Sequence, residues 1–517
     1  MQRLVGLLIL FSGVLPCRLT ANEDVTSPSA VTIARQIDDA IEAAWSAADV
    51  SPTEVAGDGE FHRRLRLDVT GRIPTVAEAR DYLDDPRPAA EKRIELVRDV
   101  FADPTHLVHQ TNFWRTILIP EAGSDITARQ YVPEFEDWLR RRLLAGVRYD
   151  DLVREVLSVP RVQLMDAGGG TPASLPGAFF DLRRDQPELL ATATARAFLG
   201  VRLDCAQCHD HPFDDWKQDQ FWQLAAFFAP AEEYDADGCP LPAIAIPETD
   251  RTVAAAFLDG SEPARDFDPR RPLAEWITAR ENPYFARATA NRLWAQFFGA
   301  GLVEPVDDFS KYNQPSHSAL LKTLAEAVRT TDYDLDRVAE AITLTRAYGL
   351  SSRAAVNDGA DPDDLTRMPV RALNPEQLYD SLSQATGRLR AFDSSQPVNF
   401  NADADRTAFL ERFARESVAA RDQPSSILQA LMMMNSAFIG DATDLESSRT
   451  LRAVLDAPFL TEQDRIETLY LAAYARRPTQ AERDAASAFL AGSTATDEAF
   501  ADLFWVLLNS GEFLFNH

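Results

Sequence analysis

Ser316-His317-Ser318-Ala319-Leu320-Leu321-Lys322-Thr323-Leu324-Ala325-Glu326-Ala327 is the stretch that decides the fold class. Leu320, Leu321, Leu324 and Ala327 recur at intervals of three and four behind a Ser316 cap, the stripe of a core-facing helix. Asn374-Pro375 repeats the grammar, with a capping side chain, a first-turn proline, and Leu378, Leu382 and Ala385 on one face. The same periodicity predicts helices near 34–47, 88–101, 128–145, 187–199, 284–298, 337–346, 424–437, 461–474 and 497–510. Strand alternation is scarce, and its best candidates are Ala243 to Pro247 with Val253 to Leu258 as companion. The chain therefore reads as mainly α.

At 517 residues it is too long for one hydrophobic core. Two helical domains are expected, over 30–230 and 272–517. Between them a Pro/Asp-rich connector over 231–271 holds Cys239 between Gly238 and Pro240. Asp166 through Gly177 reads as a glycine-rich loop without the spacing that cradles phosphates, and Asn357 to Asp364 as an acidic loop. One internal echo stands out. Arg72-Ile73-Pro74-Thr75 with Glu78, and Arg476-Arg477-Pro478-Thr479 with Glu482, each end one helix, turn on proline, and open the next with a Thr-x-x-Glu capping box.

The charge balance narrows the partners. Fifty-two basic against 80 acidic residues give a formal charge of −28, which repels a phosphate backbone and disfavours nucleic acid and anionic membrane surfaces. Residues 1–21 read as a signal peptide, with Arg3, an apolar run from Leu4 to Leu15, and Leu19-Thr20-Ala21 ahead of Asn22. Pro16 before Cys17 argues against a lipid-attachment signal. No later run is long enough for a transmembrane span, so the expected location is extracytoplasmic: periplasm, cell surface or secreted.

The sharpest chemical feature is Cys205-Ala206-Gln207-Cys208-His209. This CxxCH spacing attaches a c-type haem: two thiols add across the vinyl groups and the adjacent imidazole of His209 becomes an axial iron ligand. Met165 is a candidate distal ligand, with His106 and His109 as alternatives; His211 lies too near His209 to reach the opposite face. Met432-Met433-Met434 reads as core filler. Zinc is the competing reading, since Cys205, Cys208 and Cys239 with His209 or His211 supply a thiolate and imidazole set. A Cys205–Cys208 disulfide is the third.

Downstream, Phe221, Trp222, Leu224, Phe227 and Phe228 form either a core stripe or a haem-pocket wall. Asp210, Asp214 and Asp215 are candidate acceptors to orient His209 or His211. Elsewhere, Arg287, Asn291 and Arg292 precede Asp307-Asp308, readable as an Arg–Asp tie between helix and loop or as a carboxylate pair for acid/base chemistry. There is no nucleophile elbow and no HExxH, so no reaction is identified and enzyme status stays open.

FLGVRLDCAQCHDHPFDDW within Phe180 to Ala229, and RRLRLDVTGRIPTVAEARDYL at Arg63 to Leu83, resemble the planctomycete surface cytochrome-like domain family. LAEWITARENPYFARATANRLWAQFFGAGLVEPVDDF at Leu273 to Phe309, PSHSALLKTLAE, SILQALMMMNSAF, LYLAAYARRPTQAE and the ending LNSGEFLFNH are similar to the C-terminal domain that accompanies it. Both domains are of unknown function. The resemblance implies a secreted or surface-associated protein of bacteria that degrade complex polysaccharides. A redox partner or a surface-associated enzyme is the expected company. Relatives often carry an additional N-terminal cytochrome c-like domain with its own CxxCH, whereas the 517 residues here hold a single CxxCH.

Overall fold

The structure, a computed structural model, describes residues 28–123, 125, 127–159, 176–184, 186–353, 362–388, 404–413, 440 and 443–517. The signal peptide, Met165, the helix expected at 424–437 with its methionine triplet, and most of the two irregular loops fall outside these residues.

Helix accounts for 59 % of the structure, and the strands form only short two-stranded sheets. In chain order the helices are α1 (Ala30–Ala48), α2 (Asp58–Thr70), α3 (Val76–Asp84), α4 (Ala89–Phe101), α5 (Pro104–Leu118), α6 (Val132–Leu144) and α7 (Tyr149–Leu157). There follow α8 (Ala178–Asp181), α9 (Pro187–Thr194), α10 (Gln218–Ala226), α11 (Arg270–Thr278), α12 (Phe285–Phe298), α13 (Ser318–Thr330) and α14 (Leu335–Thr343). The last group is α15 (Pro375–Ala385), α16 (Ala404–Phe413), α17 (Arg449–Asp456), α18 (Glu462–Tyr474), α19 (Gln480–Ala491), α20 (Thr496–Leu508) and α21 (Gly511–Leu514).

The opening stretch forms α13 as its spacing requires, with Leu320, Leu321, Leu324 and Ala327 buried, but its cap differs. His317 occupies the N-cap without a side-chain capping bond, and the Ser316 hydroxyl donates to the Leu302 carbonyl instead. Asn374 does cap α15, in a full capping box with Gln377. The two echoed corners both carry the expected boxes, Thr75 with Glu78 and Thr479 with Glu482. They also pack on each other: Ala79 of α3 meets Leu471 and Ala475, and Arg477 reaches Asp84 at 2.7 Å.

The expected hairpin is present as β3 (Ala243–Ala245) antiparallel to β4 (Thr252–Ala254), beside a second one of β1 (Glu233–Tyr234) and β2 (Pro240–Leu241). The connector is anchored through Phe257, which stacks between Phe227 and Trp276 at centroid distances of 5.4 and 5.1 Å. One apolar cluster runs from Ile33 to Met368, across the connector; a second gathers α15 to α20 with Leu67 and Ile73.

Between the clusters lies α2, whose composition hides its role. Eleven of its thirteen residues are buried, among them His62, Arg63, Arg64 and Asp68. Burial of charge demands partners, and most of those of Arg63, Arg64 and Asp68 arrive from far along the chain. Arg63 donates to the carbonyls of Ala473 and Phe513 at 2.9 and 2.8 Å. Arg64 donates to those of Tyr348 and Leu350 at 2.6 and 2.9 Å and pairs with Glu60. Asp68 accepts from Arg371 Nη2 on both oxygens at 2.9 and 2.8 Å, from the Tyr348 hydroxyl at 2.8 Å and from Asn516 Nδ2 at 2.7 Å. Arg371 and Asn516 face Asp68 together because β5 (Arg371–Ala372) pairs antiparallel with β6 (Phe515–Asn516) in the register Arg371↔Asn516.

Two outcomes follow for α2. Asp68→Asn strands the Arg371 guanidinium in the interior, and chemical denaturation should register a loss of about 3–5 kcal/mol. His62 makes no hydrogen bond at either ring nitrogen, and burial, aided by Arg66, lowers its pKa to about 3. The unfolded chain therefore protonates His62 first as pH falls below about 6.5, and stability attached to the neutral ring drains away between there and about 3. The stability of the protein relative to its His62→Leu variant should drop by about 2–3 kcal/mol between pH 7 and pH 4. A flat difference across that range would contradict the assignment.

Candidate functional site

The CxxCH segment is held by what precedes it. The apolar helix expected over 187–199 forms as α9 and continues through a π turn, Ala195–Leu199, before Gly200 ends it in the left-handed region at φ 66°. A Cβ at Gly200 would lie 2.7 Å from the Phe309 ring, so glycine serves here for both conformation and close approach. The Phe309 N–H donates to the Gly200 carbonyl at 2.8 Å. Val201 and Leu203 then bury, and Arg202 between them pairs with Asp307 at 2.6 Å.

A 3₁₀ turn over Asp204–Gln207 follows, pinned by fully buried Ala206. Its far side is tied to α10: Trp222 Nε1 donates to the Gln207 carbonyl and Gln218 Nε2 to the Cys208 carbonyl, both at 2.9 Å. The result is a rigid backbone presenting outward side chains. Cys205, Cys208 and His209 are all exposed, and Cys205, Cys208 and Cys239 are free thiols.

The two neighbouring imidazoles differ. His209 Nδ1 lies 2.8 Å from the Asp210 carbonyl, which only accepts, so Nδ1 carries the proton and Nε2 keeps its lone pair in the neutral ring. His211 Nδ1 instead accepts from the Phe213 N–H at 3.3 Å, which puts the proton of its neutral ring on Nε2. His209 is the imidazole set up as an Nε2 ligand. Its orienting acceptor is a backbone carbonyl, not the carboxylates expected for that task. Asp210 binds Lys217 and the Gln218 N–H, Asp215 binds Lys311, and Asp214 takes the Asp215 N–H.

Other expectations resolve as follows. Phe221, Leu224, Phe227 and Phe228 are fully buried and Trp222 nearly so, which makes the aromatic block core and not a pocket wall; Phe213 alone stands out, 74 % exposed. His106 is unavailable as a distal ligand because Val69 O and Asp336 hold its two ring nitrogens at 3.0 and 3.1 Å. His106 and His109 lie on α5, which packs on α2 and α6, whereas the cysteine turn packs on α10. Among the described residues no group of three or more His, Cys, Asp or Glu side chains converges as a metal site, so Cys205, Cys208, His211 and Cys239 are not brought together as one.

The helix-to-loop tie after α12 exists, but Asn291 makes it, exchanging hydrogen bonds with Val303 at 2.8 and 3.0 Å. Arg287 stacks over Phe309 and Arg292 donates to the Arg196 carbonyl, leaving Asp307 to Arg202. With that carboxylate committed to an ion pair, the acid/base pairing of Asp307 and Asp308 has no geometric support. Nothing in the sequence announced Arg202 as the link between cysteine turn and distant loop. A single intervening charge between two apolar residues is its only trace.

Both thiols of the turn should be open to reagent. Protein made in a reducing cytosol, without haem-attachment enzymes, should be alkylated rapidly at Cys205 and Cys208 while folded, with half-buried Cys239 slower by peptide mapping.

In comparison with known proteins, residues 36–233 match the family model PSCyt2, described as a protein of unknown function (DUF1549). Residues 269–408 and 401–490 match the model PSD1, likewise a protein of unknown function (DUF1553). No curated protein and no solved structure matches the chain.

Proposed function

The chain carries a PSCyt2 domain followed by a PSD1 domain, and from that premise we propose that it is an exported carrier of one covalently attached c-type haem, working in electron transfer outside the cytoplasm. The observation that carries this reading is the hydrogen bond from His209 Nδ1 to the Asp210 carbonyl. It fixes the tautomer and orientation that leave Nε2 free, the second-partner arrangement that iron-ligating histidines need. Two free, exposed thiols at the required spacing stand beside it.

Cys205 and Cys208 would hold the group by thioether bonds and His209 would ligate the iron, with exposed Phe213 two residues beyond His211 as apolar cover. When bound, haem supplies reversible one-electron transfer. The protein's own part is to fix the thiols on a rigid turn and the imidazole through Asp210. Met165 would be the second protein donor to the group. A surface location suits transfer to a redox partner or a surface-associated enzyme, and the acidic surface favours a partner with a basic face.

Production in a host with cytochrome c maturation enzymes, followed by a pyridine haemochrome spectrum and intact mass, tests this directly. One haem per chain is expected, reduced at least tenfold by Cys205→Ala with Cys208→Ala, while His209→Ala should retain mass gain but shift the Soret band. Absence of haem in both measurements sinks the proposal. One zinc per chain in its place, or an oxidised Cys205–Cys208 pair, would point to a surface binding or scaffold protein.

A further inference from the structure

The connector does more than join two helical regions. Its hairpins border an open groove of about 890 Å³, closed at its margins by Pro187 of α9 and Gln223 of α10. That volume lies toward the upper end of the roughly 300–1,000 Å³ of ligand sites. Every residue of β3 and β4 lines it.

The register of this hairpin leaves strand edges open. The Ile246 N–H donates to the Arg251 carbonyl at 2.9 Å and the Ala255 N–H to the Pro242 carbonyl at 2.8 Å, with Ile244 opposite Val253 midway. Antiparallel bonding alternates along a strand, so the backbone groups of Ala243, Ala245, Thr252 and Ala254 point away from the partner strand. None of these N–H and C=O groups has a hydrogen bond among the described residues. Ala245, Thr252 and Ala254 are exposed, and their small side chains let another backbone come close. Such an edge is a template for a further strand.

Charge selects what adds to it. Glu232, Glu233 and Glu262 line the groove, are exposed, and have no ion pair among the described residues. Arg265, the one cation of the described lining, is spent on Asp235 at 3.0 Å, and Asp266 on Arg271 at 3.4 Å. Three unanswered carboxylates repel a nucleic acid or an acidic polysaccharide. A second copy of this chain would bring the same glutamates and a formal charge of −28. A polyamine would answer the carboxylates but leave the open backbone groups unpaired. A peptide carrying Lys or Arg answers both.

We propose that this groove captures an extended basic segment of a partner protein, which adds as a strand to the β3–β4 hairpin. Its Lys or Arg side chains are set against Glu232, Glu233 and Glu262. Strands of 3 residues, at about 3.3 Å per residue, offer an edge of about 10 Å, so a short linear stretch suffices. The assignment is independent of the haem reading, because no residue of the cysteine turn lines the groove.

Calorimetric titration of the full chain at low ionic strength, with a short acetylated peptide alternating Lys and Val, provides the test. Saturable binding is expected, with none by a peptide alternating Glu and Val. N-methylation at every residue keeps the charge and removes the backbone donors, so affinity should fall at least tenfold. The triple variant Glu232→Gln, Glu233→Gln, Glu262→Gln changes exposed side chains only, so its Tm should hold while affinity falls at least tenfold. Cys205→Ala should leave the affinity untouched. Absence of saturable binding would overturn the proposal, as would unchanged affinity in the triple variant. Equal affinity of the methylated peptide would reveal attraction to an acidic surface alone, and spermidine binding as tightly as the peptide would mark a polyamine site; either overturns it. A dimer of the free chain that the peptide dissociates would place a second copy in the groove and overturn it too.

Discussion

The carboxylate of Asp68, 2 % exposed, is the constraint around which the rest of the molecule is arranged. An isolated charge at that depth is untenable; it persists because Arg371, Tyr348 and Asn516 close on it from three directions. All three come from at least 280 residues further along the chain. Helix α2 therefore finds its charge partners only where segments from the middle and the end of the chain meet. Arg63 and Arg64 extend the same dependence, since their guanidinium groups answer carbonyls near the end of α18, at α21 and around Tyr348. Exchanging these charges for apolar side chains would cost less desolvation. What the charges add is a requirement for one particular partner in one particular geometry, which specifies how the segments meet.

The cysteine turn inherits its rigidity from a similar long-range arrangement. Gly200 ends its supporting helix in the left-handed region and, lacking a Cβ, admits Phe309 against it, while Arg202 is neutralised by Asp307. Both partners belong to the region matched by the second family model, while the turn belongs to the first. A single apolar cluster spans the connector between them. The two regions are distinct in sequence and interlocked in packing, so changes near Phe309 act on the turn through its backbone.

The cysteine turn and the Asp68 centre use opposite electrostatic solutions. On the turn, reactive groups face solvent and the acids nearby are occupied by Lys217 and Lys311, which leaves His209 to a backbone carbonyl. At Asp68, charge is cancelled in the interior by Arg371. The first arrangement suits covalent capture of a large group at the surface; the second ties distant segments of the chain together.

Helix type and most helix positions were legible from the chain alone, because apolar spacing and capping chemistry are local. The Thr75 and Thr479 boxes, the Asn374 cap and the stripe of α13 all follow from residues within one turn of each other. The CxxCH turn was legible for the same reason, its chemistry being written in five consecutive residues. Tertiary structure alone decided that α2, rich in charge and poor in any apolar stripe, is the most deeply buried of the early helices. It also decided that His209 and not His211 presents its Nε2 lone pair, and that Arg371, Asp68 and Asn516 meet in the interior. Burial of a charge, the tautomer of an imidazole and the company of an amide depend on groups tens or hundreds of residues away, and no local pattern encodes them.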